Sequence, residues 1–567
     1  MADSILNGFD GSGSQAGLSR RACAILSDER LTINVQSLPF SQAVSALQNP
    51  NQMMSSMLEE VVEGVEPLPS MISVMAGAKP VILLSLDVGT SGVRAALFDE
   101  SGSEITGAQI NNRRDLTSVP DFAELDPEAI VEQVAETIDE LLAKSLHTAS
   151  RIELIAISCF WHSLVGIDSV GRATTPLLTW ADTRAAEIAK DLRSQFRESE
   201  IHLRTGCRFH PSYWPAKLQW LKKERSEAFK TTRCWLGLAE YLSLRLFGET
   251  AASVSMASAT GLFNQRTCSW DWDLVKQLGI SAETLPEIGT LSTQSRLKEN
   301  FAVRWPPLAE APLCAVVGDG AANNIGGGCS QRDKIALMVG TSGAMRVLYE
   351  GEAPPQLPPE LWCYRADRAR AVVGGALSDG GGLYRWLTDS LAVDDSVTTI
   401  EDQLGEMEAD AHGLTLLPFW SGERSTGWSL DAHGGIFGLT QQTKPIEIVR
   451  AALEAIAYRF ALIARSLETL APKATVVATG NALRSSPVWM QIIADVLGRP
   501  IMLSDVREAS THGAALLALE AAGKIGSIEE VAIPVEAVFE PDMSRHTRYQ
   551  QGLRRQQEIY ERLLGNR

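Results

Sequence analysis

The sequence has little of what marks several common classes of protein. Its eight cysteines form no CxxC pair and no Cys/His cluster with zinc spacing. The most apolar stretches, such as 81–86 and 371–377, are far too short to cross a bilayer. A net charge of −18 argues against nucleic acid or an anionic membrane as the main partner. We therefore expect reduced thiols, no membrane insertion and no nucleic-acid partner.

Several familiar catalytic and nucleotide-binding motifs are also missing. There is no P-loop, no clean GxGxxG turn, no GxSxG elbow and no HExxH pair. The chain does have 567 residues, of which 45% are hydrophobic, and this allows a large core and two or more domains. Its chemistry therefore has to be sought in other residue patterns.

Residues 1–79 differ in composition from the rest of the chain. They open with a Gly/Ser-rich stretch and continue with polar runs and clustered methionines. Acidic residues such as Asp3 and Asp10 argue against a transit peptide, and no secretory signal pattern is present. We predict a dispensable extension, either disordered or a start assigned too early, since Met71 and Met75 precede the first strand. The absence of targeting signals predicts a cytoplasmic protein.

From residue 81 onwards the pattern predicts alternating strands and helices. An apolar run at 81–86 leads through a Gly/Thr/Ser turn into a second strand at 93–98. This strand–turn–strand order predicts a hairpin and excludes the strand–turn–helix of a Rossmann unit. Asp126 and Pro127 are typical of an N-cap and of a first helical residue, so a helix is expected after them. Further strands are predicted at 154–158, 313–317, 335–339, 371–375 and 475–478, and helices at 445–470 and 487–497.

A glycine-rich turn follows a strand in each half of this α/β region, which we divide into an N-terminal lobe, 80–330, and a C-terminal lobe, 331–567. The candidate phosphate-binding residues are Gly89, Thr90, Ser91 and Arg94 in the first half, and Gly340, Thr341, Ser342 and Gly343 in the second. Backbone N–H groups and hydroxyls in such turns can approach phosphate oxygens closely. Either turn alone is explained equally well as a tight hairpin, but two copies in two lobes favour phosphate binding.

Two aspartates lie at the ends of predicted strands. Asp87 stands beside the first turn, and a carboxylate next to phosphates needs a cation, so we predict Mg²⁺ held by Asp87 directly or through water. Asp319 follows the strand at 313–317 between glycines and can accept a proton from a substrate hydroxyl. The alternative for Asp319 is an N-cap of a helix starting near Ala321, and the two roles are compatible.

Five motifs resemble those of the FGGY carbohydrate kinase family, and they follow one another along the chain in the order that the family has. Residues 434–439 and 448–454 together resemble its C-terminal signature, and 212–224 is similar to its N-terminal signature except at Trp214. The other three are 86–90, similar to the opening phosphate motif, 318–319, similar to the catalytic aspartate motif, and 479–498, similar to the adenosine motif. The resemblance runs from about 82 to 525 and leaves out the extension.

The resemblance implies an α/β fold of two RNase H-like lobes, of the actin/hexokinase type, with the active site in the cleft between them. It implies that Asp319 is the general base, that Asp87 helps to position Mg·ATP and that 340–343 holds the phosphates. Gly480 and Asn481 would lie beside the adenosine, and Asn481 replaces a glycine common in the family. The implied cofactors are ATP and Mg²⁺.

The substrate side is predicted from aromatic and polar residues of the N-terminal lobe. An aromatic ring covers the C–H faces of a polyol while polar groups bind its hydroxyls. The candidates are Trp161, His162, Trp180, Asp182 and Arg184, although core packing would also explain His162 and Trp180. Segments 204–211 and 417–425 resemble the gluconate kinase branch of the family. The candidate carboxylate partners are Arg184, Arg208, His210 and Lys217.

These patterns predict an enzyme that phosphorylates a hydroxyl of a small sugar or sugar acid with Mg·ATP. Gluconate is the first choice of substrate, and a ketopentose such as xylulose or ribulose is the alternative. A non-catalytic actin-like ATP-binding or regulatory protein would share the phosphate turns but would have no use for the groups at 160–163 and 180–184. A homodimer is an open alternative to a monomer.

Overall fold

The computed structural model describes residues 82–114, 124–145, 152–289, 295–396 and 398–565, and the backbone of 24–27 and 30–33. The chain divides into two compact units, Met1–Lys79 and Pro80–Arg567. In the first unit, β1 (Ala24–Ser27) pairs antiparallel with β2 (Arg30–Ile33). The rest of the predicted extension lies outside the described residues, so its disorder stays a prediction.

The second unit alternates strands and helices. Its strands are β3 (Leu83–Gly89), β4 (Gly92–Phe98), β5 (Glu104–Arg113), β6 (Glu124–Leu125), β7 (Leu154–Cys159), β8 (Val165–Ile167), β9 (Leu177–Leu178), β10 (Cys234–Leu236), β11 (Phe263–Asn264), β12 (Ser269–Trp270), β13 (Leu313–Gly318), β14 (Lys334–Val339), β15 (Gly343–Glu350), β16 (Trp362–Arg365), β17 (Arg370–Leu377), β18 (Thr415–Leu417), β19 (Gly435–Phe437), β20 (Thr475–Thr479), β21 (Ile501–Ser504) and β22 (Val535–Phe539). Each strand predicted from the sequence has its counterpart here.

Its helices are α1 (Pro127–Lys144), α2 (Ala186–Gln195), α3 (Glu198–Thr205), α4 (Trp214–Glu224), α5 (Ser226–Thr231), α6 (Leu238–Leu246), α7 (Val254–Ser258), α8 (Trp272–Gln277), α9 (Glu299–Arg304), α10 (Asp319–Gly326), α11 (Gly381–Ser390), α12 (Ile400–Glu406), α13 (Pro445–Leu467), α14 (Asn481–Arg484), α15 (Pro487–Leu497), α16 (Ala509–Ala521) and α17 (Met543–Leu564). Short 3₁₀ turns lie at Ala282–Thr284, Pro306–Leu308 and Ile528–Glu530. Within the described ranges, none of these helices combines the length and the apolar run that crossing a bilayer requires.

The first sheet has the strand order β13-β7-β3-β4-β5. Strands β3, β4 and β5 pair antiparallel, whereas β7 and β13 run parallel to β3. The predicted hairpin is therefore confirmed, with Asp87 opposite Arg94 in its register. The N-cap predicted for α1 is confirmed as well, since the Asp126 carboxylate accepts a hydrogen bond from the backbone N–H of Glu128 at 2.9 Å. This sheet presents the ends of three parallel strands along one edge.

The second sheet repeats the arrangement of the first. Its order is β16-β17-β15-β14-β20-β21-β22, in which β14, β15 and β17 pair antiparallel while β20 and β21 run parallel to β14. The turn between β14 and β15 thus corresponds to the turn between β3 and β4. Two sheets built in this way are what two RNase H-like lobes require, so the predicted fold class is confirmed.

Helices α10 and α16 cross in close contact beside the first sheet. A Cβ atom on Gly513 would lie 1.9 Å from the carbonyl oxygen of Ala322, and one on Gly326 would lie 1.9 Å from that of Ala509. The buried side chains of α16 belong to the same apolar core as the first sheet. The lobe boundary at 330 stays a prediction, and α16, which follows it in the chain, packs against the first sheet.

Candidate active site

Asp87 and Asp319 lie at the same edge of the first sheet. Asp87 is in β3, Asp319 directly follows β13, and β7 lies between these two parallel strands. The carboxyl ends of parallel strands meet at one edge of a sheet, so the two side chains come close together. Their negative charges interact, because Asp87 contributes to raising the pKa of Asp319. The sheet therefore brings the predicted metal ligand and the predicted base together.

Asp87 is held by one hydrogen bond and one ion pair. Its Oδ1 accepts a hydrogen bond from the Ser158 hydroxyl at 2.8 Å, and its Oδ2 lies 2.9 Å from Nη1 of Arg94. Arg94 also approaches Glu508, with Nε 3.1 Å from Oε2. Arg94, predicted as a phosphate contact, is thus shared between two carboxylates beside the first turn.

Asp319 is the first residue of α10, and its N-cap is Gly318. The alternative of Asp319 as N-cap of a helix near Ala321 is therefore wrong, because the helix begins two residues earlier. The carboxylate Oδ1 accepts a hydrogen bond from the backbone N–H of Gly320 at 2.7 Å. Burial and the charge of Asp87 raise the pKa of Asp319 to about 6, and the guanidinium of Arg346 opposes this shift. The group is therefore ionised at neutral pH with a pKa close to that pH.

Trp161 packs beneath the turn that carries Asp319. Its indole Nε1 donates to the carbonyl oxygen of Ser255 at 3.1 Å, and the side chain is buried. A Cβ atom on Gly318 would lie 1.8 Å from that nitrogen, so only glycine fits there. The ring also meets Tyr364 edge to face, with 5.0 Å between centroids. Trp161 thus supports the position of Asp319 from below.

His162 has a fixed tautomer and an unusual backbone. Its φ is 69°, a left-handed conformation, and its carbonyl oxygen accepts a hydrogen bond from Lys217 Nζ at 2.6 Å. Nδ1 lies 2.7 Å from the carbonyl oxygen of Ala259, which can only accept, so Nδ1 carries the proton. Burial lowers the pKa of His162 to about 3, which keeps the ring neutral. Its Nε2 is therefore a hydrogen-bond acceptor.

Asp182 and Arg184 form a bidentate pair next to Trp180. Arg184 donates from Nε and Nη2 to the two oxygens of Asp182, at 3.0 and 2.8 Å. Its Nη1 lies 2.9 Å from Glu124, and its guanidinium stacks 4.7 Å above the Trp220 ring. Asp182 is buried and Arg184 is exposed. Two carboxylates already pair with Arg184, which weakens its case as the carboxylate partner of a sugar acid.

The other predicted carboxylate partners also have protein partners. Arg208 pairs with Glu198, its Nε lying 2.9 Å from Oε2. His210 is buried, and its Nδ1 accepts from the backbone N–H of Ser212 at 3.2 Å. Lys217 is buried, and burial lowers its pKa to about 7. None of these groups stands free to receive an anion within the described part of the chain.

Sequence reasoning missed several residues that the C-terminal lobe brings to the substrate side. Tyr364, in β16, and Trp428 are buried beside His162 and His210, and the guanidinium of Arg424 lies 4.9 Å above the Trp180 ring. The resemblance of 417–425 to the gluconate kinase branch was the only signal for this set. Spacing could not find these residues, because they lie far along the chain from the N-terminal candidates.

Three glycine-containing turns meet at the segments predicted to bind the nucleotide. The N–H of Gly381 donates to the carbonyl of Gly340 at 2.8 Å, and that of Gly382 donates to Thr341 at 3.0 Å. Gly480 has φ of 97°, and a Cβ atom there would lie 2.5 Å from the carbonyl of Val339. The structure therefore brings 340–343 and 480–481 together. The loop at 378–382, which contains the buried Asp379, contacts the turn at 340–343. This loop was not predicted from the sequence as part of the site, although it contains a run of glycines.

The first predicted phosphate-binding turn lies between β3 and β4. Arg114 donates from Nη1 to the carbonyl oxygens of Thr90 and Gly89, at 2.5 and 3.2 Å. Ser91 is exposed and Thr90 partly so. A Cβ atom on Gly92 would lie 2.3 Å from the carbonyl oxygen of Asn112, so β5 can pack this closely against the end of the turn only because residue 92 is glycine. Exposed hydroxyls and backbone groups are thus available on this side as well.

Phosphoryl transfer to a hydroxyl requires an oriented nucleophile and groups that hold the phosphates, and the aspartate at the end of β13 and the glycine turns of both sheets could supply them. The model for the FGGY family of carbohydrate kinases, N-terminal domain, matches residues 82–326, and the model for its C-terminal domain matches 335–522. The chain belongs to the FGGY family of carbohydrate kinases. As a member of that family it is an ATP-dependent phosphotransferase, which confirms the predicted enzyme class.

Individual relatives act on different acceptors. The gluconokinase of Bacillus subtilis (strain 168) is 30% identical over 482 residues, which cover 82% of this chain and 91% of that protein. The crystal structure of gluconate kinase from Lactobacillus acidophilus has a TM-score of 0.77 at 28% identity, covering 86% of this chain and 98% of that one. The ligand-bound xylulose kinase from the same species has a TM-score of 0.77 at 29% identity, covering 85% and 98%. Glycerol kinases are similar too.

Proposed function

We propose that the protein transfers the terminal phosphoryl group of ATP to a hydroxyl of a small sugar acid, with gluconate as the preferred acceptor. The observation that carries the proposal is the environment of Asp319, an aspartate at the end of β13 with a pKa of about 6. The similarity to gluconokinases and to a gluconate kinase structure supports the choice of acceptor.

Asp319 acts as the general base in this proposal. The hydrogen bond from Gly320 N–H fixes one carboxylate oxygen, which leaves the other to accept the proton of the attacking hydroxyl. Trp161 holds the turn in place from below, since it packs against Gly318. Because the pKa of Asp319 is close to neutral pH, the group is both ionised and basic enough to take a proton.

The nucleotide side uses backbone groups. The turns at 89–91 and 340–343 would hold the phosphates of ATP, and Gly480 and Asn481 would lie beside the adenosine. The donor set fits Mg²⁺ held through water, because each oxygen of Asp87 already has one protein partner and keeps a second lone pair. A bound Mg²⁺ would neutralise charge on the phosphates.

The substrate side would orient the sugar. His162 Nε2 is an acceptor for a sugar hydroxyl, since Nδ1 carries the proton. The Trp180 ring offers a face for C–H groups, and the Asp182–Arg184 pair offers further hydroxyl partners. Trp161 is buried, so its part is support of the Asp319 turn more than contact with the sugar.

A ketopentose is the second candidate acceptor, and the similarity to a ligand-bound xylulose kinase favours it. The same base and turns would serve either substrate. The rival class, a regulatory protein without turnover, has no need of an Asp319 with a pKa of about 6 or of a neutral His162. The homodimer and the cytoplasmic location stay predictions.

The test is the release of ADP from Mg·ATP by purified protein in the presence of single acceptors. The panel contains gluconate, xylulose, ribulose and glycerol, each over a range of concentrations. We expect gluconate to give the highest kcat/KM. Faster turnover with xylulose or ribulose would keep the mechanism and overturn the choice of acceptor. ATP binding without ADP release for any acceptor would support the regulatory protein.

A further inference from the structure

Arg424 is a partly buried arginine that pairs with no carboxylate among the described residues. Its Nη2 donates to the carbonyl oxygen of Leu377 at 2.9 Å, and its Nε is buried without a hydrogen-bond partner. Two other buried arginines of this lobe do have anionic partners: Arg450 lies 2.7 Å from Glu454, and Arg459 pairs with Glu423. A guanidinium taken from water without such a partner is costly.

The position of Arg424 is within the proposed active site. Its guanidinium stacks 4.9 Å above the ring of Trp180, which orients its plane. Its positive charge lowers the pKa of Asp319, of Asp379 and of His162, so it lies near groups of both lobes. The unpaired cation and the predicted base therefore share one region of the cleft.

Arg346 is a second arginine near Asp319, and its deeper burial distinguishes it from Arg424 as a candidate ligand of the substrate. Arg346 also has nitrogens without partners, but it is only 2% exposed and its Nη1 donates to the carbonyl oxygen of Gly320 at 2.8 Å. It lies beneath the Asp319 turn, out of reach of a ligand. Arg424 is partly exposed, whereas Arg346 is buried, so the guanidinium of Arg424 is the one that a substrate can reach.

We infer that Arg424 binds an anionic oxygen of the reacting substrate, an inference that rests on the proposed kinase function. Guanidinium groups form short, charge-assisted hydrogen bonds with carboxylates and phosphates. Two groups present during the reaction have this chemistry: the carboxylate of a sugar acid and the phosphoryl group in transfer. Either one supplies the partner that Arg424 lacks in the protein.

The test compares Arg424→Gln and Arg424→Lys with the wild type. Steady-state kcat and KM are measured with gluconate, xylulose and glycerol, and thermal unfolding is recorded for each variant. We expect Arg424→Gln to lose on the order of 10- to 100-fold in kcat/KM with the best acceptor, because a hydrogen bond to a charged group is lost. We expect Arg424→Lys to recover part of the loss, because it keeps the charge without the planar fork.

The pattern of the loss identifies the anion. A rise in KM confined to gluconate indicates its carboxylate, whereas a similar fall in kcat for all three acceptors indicates the phosphoryl group. The matched control is Arg370→Gln, since Arg370 is partly buried but pairs with Asp367 and Glu520. We expect this control to lower the melting temperature and keep kcat/KM. We expect Arg424→Gln to keep the melting temperature and lower kcat/KM.

Two results would overturn the inference. One is a kcat/KM of Arg424→Gln equal to that of the wild type for every acceptor. The other is a loss of melting temperature in Arg424→Gln as large as in Arg370→Gln with parallel loss of activity, because that is the behaviour of a structural arginine. A wild-type protein that turns over no acceptor is a different result, since it contradicts the proposed function itself.

Discussion

Tyr213 and Tyr364 share one hydrogen bond between the two lobes, with their hydroxyl oxygens 2.6 Å apart. Tyr213 immediately precedes α4, and Tyr364 lies in β16 at the edge of the second sheet. Both rings are buried and meet the His162 ring edge to face, with centroids at 5.0 and 5.5 Å. The pair therefore joins the substrate side of one lobe to the sheet of the other.

Removing both of these hydroxyls is expected to cost less stability than the sum of the costs of removing each one alone. Tyr364→Phe leaves the Tyr213 hydroxyl buried without its partner, which should lower the free energy of unfolding by about 1–3 kcal/mol. The double variant Tyr213→Phe/Tyr364→Phe leaves no such group and should lose less than the sum of the single variants. Denaturant unfolding of all four proteins measures this coupling. Strictly additive losses would show that the two hydroxyls do not depend on each other.

The activity is expected to fall in acid as Asp319 takes up a proton. Its pKa of about 6 lies above the ordinary 3.8, so the ionised, basic form is lost as the pH falls through 6. Well below that pH, kcat/KM should decrease about tenfold per pH unit. A pH profile of kcat/KM checks this. An acid limb near the ordinary value of 3.8 would contradict it.

Replacing Arg346 is expected to shift the pH at which kcat/KM falls in acid. Its positive charge lowers the pKa of Asp319, so Arg346→Gln should shift the limb to higher pH. Arg346→Lys keeps a positive charge and serves as the control, with a limb close to that of the wild type. The same pH profile is measured for both variants. A limb that stays in place in Arg346→Gln would mean that this charge does not act on the group that titrates.

Gly513 is expected to tolerate no side chain, because α10 crosses α16 there. A Cβ atom would lie 1.9 Å from the backbone carbonyl oxygen of Ala322, and α10 begins with Asp319. Gly513→Ala should therefore cost about 1–3 kcal/mol or more of stability and should also lower kcat. Chemical unfolding and steady-state rates measure the two effects.

The control for this crossing is Gly405→Ala. Gly405 is an exposed residue of α12, and a Cβ atom there would make an ordinary contact of 3.5 Å with Val488. Alanine should stabilise this helix by up to about 1 kcal/mol. If Gly513→Ala were as stable as Gly405→Ala, the helices could not cross as closely as described.

The sequence was sufficient to predict the elements that carry a local signal. Apolar runs predicted β7, β13, β14, β17 and β20, and the small-residue turn after β3 predicted a hairpin, which its antiparallel pairing confirms. The ends of elements were less certain, since the helix predicted to reach 470 ends at Leu467. Local patterns fix where a strand or helix forms, while neighbours in space decide where it stops.

The sequence could not reveal contacts between distant segments. Arg424 and Tyr364 reach the substrate side only because the second lobe packs against the first, and no spacing in the chain records that contact. The N-cap alternative for Asp319 failed for a similar reason. The cap position falls on Gly318, where the packing of Trp161 leaves no room for a side chain.

The segment 1–79 is expected to be dispensable for catalysis. The family models match only from residue 82 onwards, and Pro80–Arg567 forms its own compact unit. A chain that starts at Pro80 should therefore keep the kcat and KM of the full chain for its acceptor and for ATP. Both proteins are assayed side by side at equal concentration. A loss of kcat in the shorter chain would give the extension a part in turnover.

The most direct test of Asp319 as the general base uses the Asp319→Asn variant. Its turnover and its nucleotide binding are measured on the same sample. The variant removes the proton acceptor and keeps the shape, so kcat should fall by about 100-fold or more, while ADP binding measured by calorimetry and the melting temperature stay close to those of the wild type. Turnover within a few-fold of the wild type, by a folded variant that still binds nucleotide, would contradict the role of Asp319.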